Sequence, residues 1–217
     1  MQLKNQIYSK LVIASIIVLI VINLVGLALS IHDLFYLKKI ILGKPVLDWE
    51  HAFFTEKNKI QYWLTTIAYL TYLILFLTWL YRTYKNVYVK ESDVAPFKPG
   101  IVPFSYIIPI FNLYGPYKIM RFIWWGNAFS IAELNKGYKT IKAWWFVTML
   151  SFIMSRIAAA KYKGAVYADA FMTATYFHLF VYALVIHFLI LTLKLVKSIN
   201  KNENTPPVYM QATEPNQ

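Results

Sequence analysis

Two histidines stand inside an apolar run: His178 and His187 lie between Phe171 and Val196. An ionisable side chain at membrane depth is a functional candidate by default, as a proton relay or a ligand. At about 100° per residue, positions nine apart fall on opposite faces of one helix. The pair therefore needs residues from other segments to form a site, and hydrogen-bonded packing is the competing reading.

A second pool of chemistry is His32, Asp33, Asp48, Glu50 and His51, with Glu133 further along. Imidazoles and carboxylates could ligate a metal or supply acid–base groups near headgroup depth. Their spacing matches no metal motif, and ordinary loop polarity is expected. Glu133 sits close to Lys136 and Lys139 and reads as a loop charge; Asp169 reads as a hydrated span-boundary residue. The chain has no cysteine, which excludes disulfides, thiol catalysis, iron–sulfur clusters and Cys-ligated zinc. No phosphate loop, nucleophile elbow or apolar carboxylate pair is present. No catalytic residue, cofactor or metal site is expected.

The third pool is uncharged. Asn112 lies between Pro109 and Pro116, with Tyr117 and Arg121 following. Proline-broken membrane segments can expose backbone groups to a solute. These five residues form the candidate functional segment, with His178 and His187 as weaker candidates.

The elements that must position these groups belong to a membrane. The 217 residues are 59% hydrophobic and 15% charged, whereas soluble domains are about 45–50% apolar and about 25% charged. An all-α, polytopic helix bundle is expected, with four clear spans at about 11–31, 60–81, 141–160 and 171–196. The run Leu11–Ser30 has the order of a signal peptide, but its 20 residues suit an uncleaved span. Gly26 and Ser30, with Asn23, mark a close-packing stripe on the first span. Thr148, Ser151, Ser155 and Ala159 mark one on the third. His32–Lys59 is expected to be a mixed, hydrated connection. The polar tail 200–217 is expected to be disordered.

The segment 99–131 is proline-broken, re-entrant or a fifth crossing. Its uncharged core Ile101–Tyr114 is only 14 residues, and Pro103 and Pro109 should kink any helix there. From Tyr117 to Ala132 the polar positions do not share one helical face, although Lys118 and Arg121 share a side from which both could snorkel.

The net charge is +12. Without a groove-reading motif it implies anionic headgroups and orientation by loop charge, not nucleic acid. If the proline-broken segment re-enters, 14 Lys and Arg face the inside and 8 the outside, with both ends inside. If it crosses, the better split is 13 to 9 with the N-terminal end outside.

Residues Phe76–Trp125 also carry a recognisable pattern: Trp79, Leu80, Arg82 and Asn86, then Pro99, Ile108, Pro109, Ile110, Asn112 and Leu113, then Pro116, Tyr117, Met120, Arg121, Ile123 and Trp124. With Trp144-Trp145 beyond, this resembles the bacterial membrane family catalogued as domain of unknown function 4328. The family often has tryptophans just after the first proline, where this chain has Ile101, Phe104 and Tyr106. The resemblance implies a multi-pass protein of a bacterial inner membrane and no particular activity. The leading expectation is a non-enzymatic structural or partner-binding membrane component, with a membrane protein partner or a second copy. A small transporter or channel is the alternative, and a lipid-modifying enzyme drawing on His32, Asp33, His51 or Glu133 the third.

Overall fold

The computed structural model describes residues 5–202, so the tail expected at 200–217 lies almost wholly outside the described residues. Among the described residues the protein is all-α. Its long helices are α1 (Gln6–Ile41), α2 (Asp48–Tyr88), α5 (Ile131–Lys163) and α6 (Ala168–Asn202). Between α2 and α5 lie two 3₁₀ turns, Pro99–Ile101 and Pro103–Tyr106, then α3 (Pro109–Asn112) and α4 (Gly115–Trp125).

The four long helices are apolar and long enough to cross a bilayer. With 36, 41, 33 and 35 residues they run to about 54, 62, 50 and 53 Å, against a hydrocarbon core of about 30 Å. Each therefore extends well past its apolar run. The short elements are different in kind, since the longest, α4, has 11 residues and reaches only about 17 Å.

The expected long connection His32–Lys59 is thus corrected to six residues, Leu42–Leu47. Gly43, at φ 62°, ends α1. Its N–H bonds the Ile40 carbonyl and the Lys44 N–H bonds the Lys39 carbonyl, both at 3.0 Å, the double closure that a left-handed glycine permits. Pro45 follows, and Glu50 then accepts the Leu47 N–H at 3.1 Å to start α2. Breaker residues here end one helix and begin the next without a long loop.

The prolines act in the same way. Pro99, Pro103 and Pro109 each stand in the first turn of a short helix, where a missing N–H costs nothing. They start turns rather than kinking a long helix. The expectation of a poor face after Tyr117 is also corrected. The helix stops at Trp125, before Asn127 and Ser130 can spoil its pattern, and it buries Ile119, Met120, Phe122, Ile123 and Trp124.

The chain divides into two compact units. The first comprises Met1–Ser15, Thr71–Trp145 and Leu191–Gln217, and its core is aromatic. Trp79, Tyr84 and Trp144 are almost fully buried beside Leu80, Ile119, Met120, Ile123 and Leu195. The Trp144 indole donates to the Thr192 hydroxyl at 2.9 Å. The Tyr84 hydroxyl donates to the Phe97 carbonyl at 2.6 Å and accepts its N–H at 3.1 Å, pinning the chain that leads into the proline segment. Gly126 and Gly137 admit close neighbours: a Cβ would lie 2.3 Å from Val87 and 1.8 Å from the Trp124 ring.

The second unit comprises Ile16–Leu70 and Phe146–Ile190, and its packing relies on small and polar side chains. Along α1 the buried positions Ile16, Leu19, Asn23, Gly26, Ser30, Asp33 and Leu37 alternate steps of three and four. That 3.5-residue period is the seam of left-handed helix packing. Gly26 lies where a Cβ would stand 2.7 Å from the Tyr182 ring, so the close-approach stripe is real. On α5 the seam takes Ser151 and then Ala158 in place of the expected Ala159, which is exposed.

Candidate functional site

The proline segment is built from its backbone outward. Because its prolines restart short turns, alternate sides point toward and away from the rest of the first unit. Val102 and Ser105 are buried, as are Gly115 and Pro116 at the start of α4. Ile107, Ile110 and Leu113 are 67%, 76% and 62% exposed, joined by Ile101, Phe104 and Ile108. No charge falls between Lys98 and Lys118. The outcome is an uncharged apolar ledge held from behind by Tyr84 and by a T-shaped contact between the Phe76 and Tyr106 rings, centroids 5.9 Å apart.

The sequence-derived candidates divide across this ledge. Pro109 is exposed and Asn112, the last residue of α3, is half-buried. Pro116 is buried in the first turn of α4. Tyr117 and Arg121 come together, the guanidinium 5.7 Å from the Tyr117 ring and 4.4 Å from the Tyr138 ring. Arg121 therefore fastens α4 to α5 through ring faces, a contact worth about 0.5–1 kcal/mol at an exposed site. The five residues do not converge on one point.

His178 and His187 belong to the second unit and are kept apart, as their spacing requires. His178 is half-buried, its ring edge-on to Tyr162 with centroids 5.8 Å apart, and His187 is exposed.

The polar pool before Lys59 forms a ladder between α1 and α2. Asp33 pairs with Lys57, and both are buried. The Tyr36 hydroxyl lies 2.7 Å from His51 Nδ1. Lys39 pairs with Glu50, whose carboxyl is held below its ordinary range by the Lys39 ammonium and then by the Leu47 N–H. Glu50 stands ten residues before the apolar run of α2, outside the hydrocarbon reach of that helix. The Lys57 ammonium also lies 5.0 Å from the Phe54 ring, and Phe54 stacks on Tyr36 at 4.7 Å. The expectation of loop polarity is corrected: these are helix residues, and Asp33, Glu50 and His51 are partnered by Lys57, Lys39 and Tyr36. Among the described residues no group of three or more His, Asp or Glu could hold a metal.

Glu133 is a cap. It accepts the Phe129 N–H at 3.0 Å and the Asn202 amide at 2.7 Å, while its own N–H bonds the Ser130 hydroxyl at 3.1 Å. Ser130-x-x-Glu133 is a capping signature that the sequence displays.

Two features escaped the sequence reading. One is the buried Asp33–Lys57 pair. Its signal was there, because Asp33 continues the three-four spacing of Gly26 and Ser30. The other is a groove of about 470 Å³ in the first unit, lined by Trp124, Phe129, Glu133, Lys136, Gly137, Thr140 and Lys194 among others. Nothing local in the sequence joins α4, α5 and α6 there.

Residues 56–201 match a family described as "Domain of unknown function (DUF4328)". No curated protein and no solved structure matches the chain significantly.

Proposed function

The chain belongs to this DUF4328 family, and we propose that it is a non-enzymatic structural or partner-binding component of a bacterial inner membrane. The observation that carries the reading is how the family-like residues are used. Trp79, Leu80, Asn86, Pro116, Met120, Ile123, Trp124 and Trp144 are core of the first unit. Ile108, Pro109, Ile110 and Leu113 are displayed on its ledge. A motif that spends its aromatics on a rigid core and exposes one short apolar element suits presentation of a surface. Among the groups that could do acid–base work, Asp33, Glu50, His51 and Glu133 are held by Lys57, Lys39, Tyr36 and Asn202, which favours a scaffold over a catalyst.

In this reading the four long helices span and the proline segment stays on one side, because none of its helices reaches across about 30 Å. The side rich in Lys and Arg, with 14 of 22, is cytoplasmic. Single cysteines replacing Lys90 and Lys139 in this cysteine-free chain will both resist an impermeant maleimide in intact cells. Labelling on opposite sides would break the topology. A photo-crosslinking residue at Ile110 in native membranes will capture a discrete protein, either a partner or a second copy. Adducts to lipid alone, with the chain purifying by itself in mild detergent, would count against a partner-binding role.

A further inference from the structure

The groove among α4, α5 and α6 holds an unused donor. Trp124 is 6% exposed, and its indole N–H is buried with no hydrogen-bond partner among the described residues. Leaving such a group unpaired costs about 1–3 kcal/mol. The indole edge bearing Nε1 lies against Gly137, also in the groove wall, where a Cβ would come within 1.9 Å of Nε1. Only glycine at 137 leaves the ring room to sit there.

The rest of the lining defines the missing partner as an acceptor with negative charge. Lys136 and Lys194 both line the groove, with Ser198 as a hydroxyl donor; the Thr140 hydroxyl donates to the Lys136 carbonyl at 3.0 Å. Neither lysine forms an ion pair among the described residues. Among the described residues Glu133 is the one acidic lining residue, and its carboxylate is already held by the Phe129 N–H and the Asn202 amide. Phe129 and Leu195 add an apolar side. Depth selects the source: Lys136 precedes the apolar run beginning at Ile141, and Lys194 closes the run from Phe171. Both therefore stand at span ends, where headgroups lie and lysine stems snorkel.

We propose that this groove binds the phosphodiester of a membrane lipid, its oxygens shared by Lys136, Lys194 and the Trp124 N–H, its glycerol end against Phe129 and Leu195. The site is independent of the scaffold reading above, which concerns the ledge. The N–H is shielded from solvent, so the lipid oxygen reaches it as neighbouring side chains give way.

The test is native mass spectrometry of the full-length protein, delipidated in detergent and titrated with phosphatidylglycerol. One lipid should bind tightly. Lys136→Ala with Lys194→Ala should weaken it by about tenfold or more, as expected for loss of charge-assisted bonds. Trp124→Phe keeps the ring, removes the donor and should weaken it several-fold, with thermal melting confirming the fold. Lys161→Ala with Lys163→Ala should change nothing. Equal binding of diacylglycerol, equal loss in the Lys161/Lys163 control, or no effect of Trp124→Phe would each overturn the site. Equal binding of glycerol phosphate would overturn the lipid as its source, leaving a soluble phosphate ester.

Discussion

Among the described residues, twenty of the 29 buried apolar side chains lie in the first unit and nine in the second. Every buried aromatic among those residues except Tyr36 is on the first side of that division. Both units bury neutral polar side chains, but among the described residues the buried charges, Asp33 and Lys57, are in the second, beside Asn23, Ser30, Ser151 and Thr175. Among lipids, apolar burial drives helix association weakly, because a Leu is as comfortable in acyl chains as in a core. Small residues that allow backbone approach and polar pairs that must be satisfied can then do the work. The first unit shows the other solution, large rings interlocked around tryptophans and held by a few hydroxyl bonds. One unit is specified by shape and the other by pairing, and these fail differently when a single side chain is removed.

The largest effects should come from the centres of the two units. Asp33→Ala strands the Lys57 ammonium in a buried setting and should cost about 3–5 kcal/mol. Trp79→Ala opens a large cavity and should cost about 3–5 kcal/mol as well. The distinction lies in rescue. Asp33→Leu combined with Lys57→Met removes both charges and should return near wild-type melting in detergent, whereas no second removal can refill the space of Trp79. If the double variant melts as low as Asp33→Ala alone, pairing does not govern the second unit.

Next in size are the glycines at close approaches. At Gly137 an added methyl meets the rigid indole of Trp124 at 1.8 Å; at Gly26 it meets the end of the Tyr182 ring at 2.7 Å. Overpacking costs about 1–3 kcal/mol, occasionally more, against the roughly 1 kcal/mol that Ala gains over Gly in a helix. The indole has little room to move, so Gly137→Ala should lose at least about 2 kcal/mol net. Tyr182 can swing, so Gly26→Ala should fall within about 1 kcal/mol of neutral. Thermal melting of both variants gives the order. The reverse order would mean that the second unit is the more tightly shaped.

How much of this was legible follows the same division. The apolar runs announced four long helices, and Gly26-x-x-x-Ser30 announced its seam, because both signals are local. The family-like pattern around Trp79, Asn112 and Trp124 was readable as a set. The sequence did not show that α2 begins at Asp48, since its first turns are stabilised by partners on α1 rather than by apolar burial. It did not show the turns at Pro99, Pro103 and Pro109, because a proline that kinks a helix and one that starts a helix look alike until the flanking hydrogen bonds are known. Asp33 was hidden by its type. A carboxylate reads as hydrated unless the three-four seam is followed through the polar residues, and Lys57 lies 24 positions away.

The smallest effect isolates burial from charge within the second unit. Lys39–Glu50 is the same kind of pair as Asp33–Lys57, yet Lys39 is 43% exposed where Lys57 is 5% exposed. Glu50 has its carboxyl lowered from the ordinary 4.5 by Lys39 and the Leu47 N–H. A lowered folded value means that its contribution is complete above the ordinary carboxyl range and is lost as pH falls through the folded value. Solvent screening keeps that contribution small. The Leu47 amide, which donates to Glu50 at 3.1 Å, is the reporter, and its chemical shift should titrate below 4.5 with little change in melting temperature. Lys39→Ala should move that titration up toward the ordinary value and leave melting nearly unchanged, in contrast to the large loss at Asp33. A Leu47 titration at or above 4.5, or a Lys39→Ala melting loss as large as that of Asp33→Ala, would mean that burial is not what separates these two rungs.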